Sequence, residues 1–386
     1  MATEKRYIGM DIHREFVVLI GINAEQEVVL SSKRVSTVEL EPWVSQHLTN
    51  NDRVVMEATT NVWDLYDQIA PHVGEVKVAH PYRVKLISAS MVKTDKRDAL
   101  ILARLLAANL IPDVWVPPHH VRELRSLTHH RRQLVKQRAM AKNRLRGILF
   151  RHNLVPPDGG LFAQTNRDWW KNAPLNSIER LRAKHDLANI DHFTTQIDEV
   201  EKELAQLSVS ESWVSDVPFL LQMPGFGLVS VMTILAAIGT IDRFPAADQL
   251  VGYAGLGARV HNSGQTNRGG GITKQGRTEL RTMMIEVAWR AVQNSPVWKA
   301  RYQHLCKFKP KQQAITIIAR RLLVAIWHIL TKRQVDYNAD PAAVARSFLR
   351  WASTHRLARS LGMKRIDFLE YALNQIGTSQ LLPEPA

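Results

Sequence analysis

Four acidic residues carry the chemistry most readily imagined for this chain. Lys93-Thr94-Asp95-Lys96-Arg97-Asp98-Ala99 places two carboxylates three residues apart, directly ahead of the strongly helix-forming run Leu100 to Leu106. On a helix that spacing puts Asp95 and Asp98 on one face, close enough to share a metal ion. Two more acids stand in apolar surroundings, Asp11 in Tyr7-Ile8-Gly9-Met10-Asp11-Ile12 and Glu57 in Val54-Val55-Met56-Glu57-Ala58. An acid ending an apolar strand is costly unless it is ligated or paired. Carboxylates suit Mg2+, a hard ion that prefers oxygen and keeps room for water and phosphate. Two such ions about 4 Å apart can activate an attacking oxygen and stabilise a leaving one. Histidine and cysteine ligands, which would point to zinc, are not expected among these positions.

The surrounding pattern supplies elements to hold the acids. Residues 6–35 read as three consecutive strands, followed by a helix near Leu40–Leu48, a buried strand Arg53–Glu57, a helix Asn61–Ala70 and a strand Val76–Ala79. Strands that first meander and then alternate with helices imply an α/β layer with a mixed sheet. Asp11 then ends the first strand and Glu57 the fourth, where the Asp95/Asp98 helix could meet them. Singly, each acid also fits a turn, a strand end or a helix cap; together they form a set.

Charge points to the partner. The chain of 386 residues has 51 Lys+Arg against 36 Asp+Glu, a formal charge of +15, and a pI near 10.0. Nucleic acid is the polyanion such an excess best fits. The excess is concentrated: ten Lys/Arg and one acid lie between His119 and Arg151, and nine Lys/Arg with no acid between Lys299 and Arg333. The first of these segments suggests Arg131, Arg132, Lys136, Arg138, Lys142 and Arg144 as phosphate contacts. One cysteine, Cys306, excludes an internal disulfide. No apolar run reaches 18 residues and the N-terminus lacks a signal-peptide pattern, so no membrane partner and a reduced cytoplasm are expected.

Four regions are expected: 1–118, a basic helical arm at 119–208, a mostly helical domain at 209–345, and a helical extension with tail at 346–386. In the arm, Leu127, Leu134, Ala141 and Ile148 recur every seven residues. Ile190, Ile197 and Leu204 do the same, with Phe193, Val200 and Leu207 three residues on. This is a coiled-coil seam, and the acids of the second helix (Asp198, Glu199, Glu201, Glu203) suit the basic first one, within one chain or between two. Further on, Pro224-Gly225-Phe226-Gly227 opens onto a helix and could offer the amides of Gly225 and Gly227 to a phosphate, as helix-hairpin-helix-like turns do. The glycine-rich stretch 258–276 reads as a loop with Ser263 beside Gly264 and with Arg259, Arg268 and Lys274 as its cations.

With these motifs assembled, the chain resembles the DEDD-type transposases of bacterial insertion sequences, relatives of Piv-type DNA invertases, some of which are guided by a bridge RNA. The resemblance runs from residue 6 to about 330. It rests on Ile8-Gly9-Met10-Asp11, Met56-Glu57-Ala58-Thr59 and Lys93–Ala99, then on Pro224–Gly227, Tyr253-Ala254-Gly255-Leu256, Ser263-Gly264, Thr273–Gly276 and Leu280-Arg281. It implies a RuvC-like, RNase H-type N-terminal domain with Asp11, Glu57, Asp95 and Asp98 as the Mg2+-binding catalytic tetrad. It also implies a C-terminal transposase domain with Ser263 as a nucleophile that forms a transient phosphoserine link. The implied partners are donor and target double-stranded DNA, a non-coding bridge RNA, and further copies of the chain in dimers or tetramers. A RuvC-like junction resolvase using metal and water without serine is the alternative, and a non-catalytic nucleic-acid binder a third reading.

Overall fold

A computed structural model describes residues 5–87, 94–263 and 266–377, without the side chains of 260–270. By internal contacts the chain divides into two units, Met1–Pro117 and Pro118–Ala386.

The first unit is built on β1 (Arg6–Ile12), β2 (Phe16–Ile22), β3 (Val28–Ser36), β4 (Asp52–Glu57) and β5 (Glu75–Ala79), with helices α1 (Leu40–His47), α2 (Val62–Ile69), α3 (Pro81–Ile87) and α4 (Asp95–Ala107). The sheet order is β3-β2-β1-β4-β5. The first three strands pair antiparallel as a meander, whereas β1–β4 and β4–β5 are parallel. This mixed sheet is the RuvC-like, RNase H-type arrangement. β3 runs to Ser36, six residues beyond the Val28–Leu30 core of its sequence pattern, because antiparallel pairing with β2 continues to Phe16↔Ser36.

The alternation of β1 and β4 sends their side chains to two cores. Ile8, Met10, Val54 and Met56 pack with Leu40 and Val44 of α1 and with Leu65 and Ile69 of α2. On the other face Val55 and Ala79 pack with Leu102 and Leu106 of α4 and Val84 of α3. Asp11 and Glu57, odd-numbered like Val55, therefore belong to the face that α4 covers.

The second unit is helical: α5 (His119–Arg151), α6 (Arg167–Asn172), α7 (Ser177–Leu207), α8 (Val217–Leu221), α9 (Leu228–Ile238) and α10 (Ala247–Tyr253) precede a hairpin of β6 (Ala258–Ser263) and β7 (Thr266–Ile272). Then come α11 (Thr278–Asn294), α12 (Pro296–Cys306), α13 (Lys311–Lys332), α14 (Pro341–Ser353), α15 (Leu357–Ser360) and α16 (Arg365–Gln375). α5 and α7 form an antiparallel pair within the chain: Arg131 meets Glu201, Arg144 meets Asp186 and Arg151 meets Glu179. Leu134, Ala141 and Ile148 are buried in α5, as are Ile190, Ile197, Val200 and Leu204 in α7. α13 has the length and composition of a membrane-crossing helix. Its residues Ala314, Ile318, Leu322 and Ile326 are nevertheless fully buried, and it serves as a core helix of this unit.

Candidate functional site

The acids of the first unit are brought together by a strand–helix contact that only glycine permits. A Cβ at Gly9 would lie 1.9 Å from the Ala99 carbonyl oxygen and 2.7 Å from the Ala103 nitrogen. With hydrogen there instead, α4 lies directly on β1. Its N-terminus carries Asp95 as first helical residue and Asp98 one turn on. Thr94 caps the helix, its Oγ1 accepting from the Arg97 amide at 3.3 Å. The helix dipole favours negative charge at this end. Met10 pairs with Met56 in parallel register, so Asp11 and Glu57, the next residues, leave adjacent strands at the same end. Both are half-buried, as is Asp98, while Asp95 is exposed.

His13 completes the cluster. Its Nε2 lies 3.3 Å from Asp11 Oδ2 and 3.3 Å from Asp95 Oδ2. Its ring stacks on Phe16 at 4.4 Å. Both are ion-pair contacts, and Nε2 is a buried polar atom that forms no hydrogen bond of standard geometry among the described residues. Ligand atoms of Asp11, His13 and Asp95 all lie within 4.8 Å of one another. The expectation that no histidine stands among these positions is thereby corrected. The signal was Asp11-x-His13 with Phe16 behind it: a residue two beyond a strand-end acid can come back to the same face.

Burial is the main influence raising the Asp11 carboxyl above the usual aspartate pKa; the Asp95 and Asp98 charges add to it, while His13 opposes it. A divalent cation would relieve both the burial cost and the repulsion. The oxygen-rich donor set and the orphaned imidazole nitrogen fit a hard or borderline divalent ion. Asp11, His13 and Asp95 are the described residues close enough to share such an ion; Glu57 leaves β4 at the same end of the sheet and Asp98 follows Asp95 by three residues, but neither joins that cluster. Lys93 lies outside the described residues.

In the second unit, residues 258–263 and 266–272 of the stretch read as a loop pair as antiparallel strands, with Ser263 opposite Thr266 and Arg268 opposite His261. The correction has a plain cause: glycine weakens a strand but does not forbid the antiparallel ladder, and Gly269 pairs with Val260. The side chains of Ser263 and Arg268 lie outside the described ones. The hairpin's base is stitched to the turn after α10. The amides of Thr273, Lys274 and Arg277 donate to the carbonyls of Gly257, Gly255 and Tyr253. Arg281, missed as an individual residue, donates to the carbonyls of Ala254 and Lys274. Gly255 and Gly276 have positive φ and leave no room for a Cβ, which would fall 2.7 Å from Gln275 O and 2.3 Å from Tyr253 O respectively. Arg259 and Lys274 are exposed.

Gly225 and Gly227 have local duties. Gly225 has φ +85° and a Cβ there would meet the Ala291 nitrogen at 2.5 Å, so it admits α11 against the turn. The Gly227 amide donates to Ser230 Oγ at 2.9 Å and caps α9. The picture of both amides offered freely to phosphate is corrected for Gly227 by that bond. The basic arm is likewise partly self-satisfied. Arg131 binds Glu201, Arg138 reaches Thr194 Oγ1, and Arg144 donates from two nitrogens to the buried Asp186. Arg132 pairs with Glu279 at 3.2 Å. Lys142 lies 5.5 Å from the centre of the Phe162 ring, and Lys136 is exposed. Arg125, not singled out from sequence, donates to the carbonyls of Ala236 and Ala237 at the end of α9, and burial holds its pKa down to about 10.

The first unit thus combines a RuvC-like mixed sheet with Asp11, His13 and Asp95 gathered where β1 meets α4, and sequence comparison defines the class. A DEDD-type transposase family matches residues 8–153, and the family described as "Transposase IS116/IS110/IS902 family" matches residues 217–303. The pilin gene-inverting protein of Moraxella bovis is 26% identical over 353 residues, 86% of this chain and 97% of the relative. Its counterpart in Moraxella lacunata is 25% identical with the same coverage. The transposase for insertion sequence element IS1111A of Coxiella burnetii is 25% identical over 345 residues, 85% of this chain and 90% of the relative. The chain belongs to the DEDD-type insertion-sequence transposases. It is accordingly a DNA-binding enzyme of the class that cuts and rejoins DNA, in a family that suggests use of a divalent metal.

Proposed function

We propose that this transposase moves an insertion sequence by combining two chemistries, a Mg2+-binding tetrad of Asp11, Glu57, Asp95 and Asp98 and a nucleophilic Ser263. The convergence of Asp11 and Asp95 within reach of His13 is the observation that carries the reading. Bound metal would supply the positive charge that makes a DNA phosphate attackable. The chain's own part is to hold rigid acids at two strand ends and a capped helix N-terminus. Ser263 Oγ attacks the phosphorus, the scissile P–O bond breaks, and its oxygen leaves as a DNA hydroxyl. Attack by another DNA hydroxyl on the phosphoserine reverses the bond change and frees the serine. Exposed Arg259 and Lys274 near this hairpin suit the phosphate charge.

The tetrad lies in 1–118 and Ser263 in 209–345; in this proposal copies of the chain assemble as dimers or tetramers on donor and target DNA, so that tetrad and serine can come from different copies. A bridge RNA supplies the target sequence by base pairing and competes for the same exposed cations, Lys136 among them. Pilin gene inversion by the Moraxella relatives supports a rearrangement, rather than simple hydrolysis. The test is a denaturant-resistant protein–DNA adduct, expected in the unaltered protein with Mg2+ and absent in Ser263→Ala. Cleavage by Ser263→Ala equal to the unaltered protein would establish the resolvase-like reading instead.

A further inference from the structure

After the hairpin in sequence, α12, α13 and the segment after α13 line an open cavity of about 730 Å³. Ile317, Arg321, Val324 and His328 line it from one stripe of α13, at the spacing of a single helix face. Trp298 and Arg301 of α12 form a wall, Asp336 and Asn338 close the end, and Arg320 adds a third guanidinium.

Three polar atoms of this lining are buried and make no hydrogen bond among the described residues: Trp298 Nε1, His328 Nδ1 and Asp336 Oδ2. Trp298 is only 2% exposed. Buried polar groups are nearly always satisfied, so three orphans around one cavity need a partner. They comprise a donor, an acceptor and an imidazole nitrogen able to be either. The Arg301 guanidinium lies over the Trp298 ring, 4.8 Å from its centre, and covers it. A planar ligand with donors and acceptors on its edge can take that stacking place when Arg301 swings out. Arg301 and Arg321, both exposed, then face an anion attached to it, and Arg320, which also reaches Asp248 Oδ1 at 3.4 Å, stands beside them.

We infer that this cavity binds one unpaired nucleotide of a nucleic acid, its base on the Trp298 ring and its flanking phosphates on the arginines. A nucleotide meets the three requirements at once: a flat π-face, mixed donors and acceptors, and adjacent negative charge. The inference rests on the nucleic-acid reading above and adds a subsite to it. A simple phosphate would leave the three buried atoms unsatisfied, and a duplex would not enter.

The probes are 20-base-pair duplexes, perfect or carrying one central single-nucleotide bulge, made in DNA and in RNA with each of the four bases bulged. The full chain should prefer at least one bulged probe over its perfect duplex by about tenfold, the scale of one base–aromatic stack. Trp298→Leu and Asp336→Asn, checked for unchanged melting, should reduce that preference to less than threefold and leave perfect-duplex affinity unchanged. The probe type showing the preference identifies the source as RNA or DNA. No preference for any bulge in the unaltered protein, or an undiminished preference in both variants, overturns the inference. Loss of binding to every probe, perfect duplexes included, would instead refute the underlying nucleic-acid reading and the subsite with it.

Discussion

Replacing Gly9 by alanine tests how the acid cluster is assembled. The added methyl would stand 1.9, 2.7 and 2.9 Å from the Ala99 oxygen, Ala103 nitrogen and Ala99 carbon, where ordinary contact begins near 3.4 Å. All three are backbone atoms of α4, so no side chain can swing aside. The helix must retreat from β1 by about 1.5 Å, and overpacking of this sort costs about 1–3 kcal/mol. With backbone on both sides the upper end applies, which for a unit of this size lowers the melting temperature by about 10 °C. Asp95 and Asp98 ride on the displaced turn while Asp11 stays with its strand. A misplacement of about 1 Å in a reacting constellation can cost a hundredfold in rate. Gly9→Ala should therefore lose about 10 °C in calorimetry and about a hundredfold in Mg2+-dependent strand cleavage at temperatures where it remains folded. Melting within about 2 °C of the unaltered protein, with cleavage within threefold, would refute the view that this contact positions the site.

Because the Asp11 carboxyl is raised, the folded state keeps its proton to higher pH than the unfolded state does. The stabilisation from that proton is present at acid pH and lost as pH rises through the raised value. Metal-free Asp11→Asn should accordingly melt above the unaltered protein at pH 8, with the gap closing toward pH 4 in thermal scans. The same variant should lose the rise in melting temperature that Mg2+ gives the unaltered protein, worth about 2.7 kcal/mol at a hundredfold excess over Kd. Arg144→Ala leaves buried Asp186 without its ion pair; discounted for the half-exposed arginine, about 1–2 kcal/mol of stability should go, with the salt dependence of DNA binding unchanged. Lys136→Ala should do the reverse, preserving stability and reducing the slope of log K against log salt by about one unit. Gly225→Ala, strained at φ +85° and pressed on the Ala291 nitrogen, should lower the melting temperature as Gly227→Ala, with open space at its Cβ, does not.

Much of the first unit was legible because its signals are local. Period-two alternation and acids at the ends of apolar runs located β1, β4 and β5 to within a residue or two, and their order implied the mixed sheet. The heptad spacing likewise marked the faces by which α5 and α7 meet. His13 was harder to see, since it stands past the end of β1 and acquires meaning only when α4 folds back across the strand. Gly9 was visible as part of a motif, but its reason, a helix backbone against its Cα, is tertiary. The arm's arginines are hard to rank from sequence for a related cause. Composition counts cations without showing which of them Glu201, Asp186 or the carbonyls ending α9 already hold. The hairpin at 258–272 read as loop because glycine content masked a ladder that needs only backbone.

The most direct test is strand cleavage of insertion-sequence-end DNA by the unaltered protein and by Asp98→Asn, each with Mg2+ and with EDTA. The expected result is cleavage by the unaltered protein with Mg2+ alone, and DNA binding without cleavage by Asp98→Asn. Cleavage that survives EDTA, or that Asp98→Asn performs at the unaltered rate, would contradict the metal-binding tetrad on which this account depends.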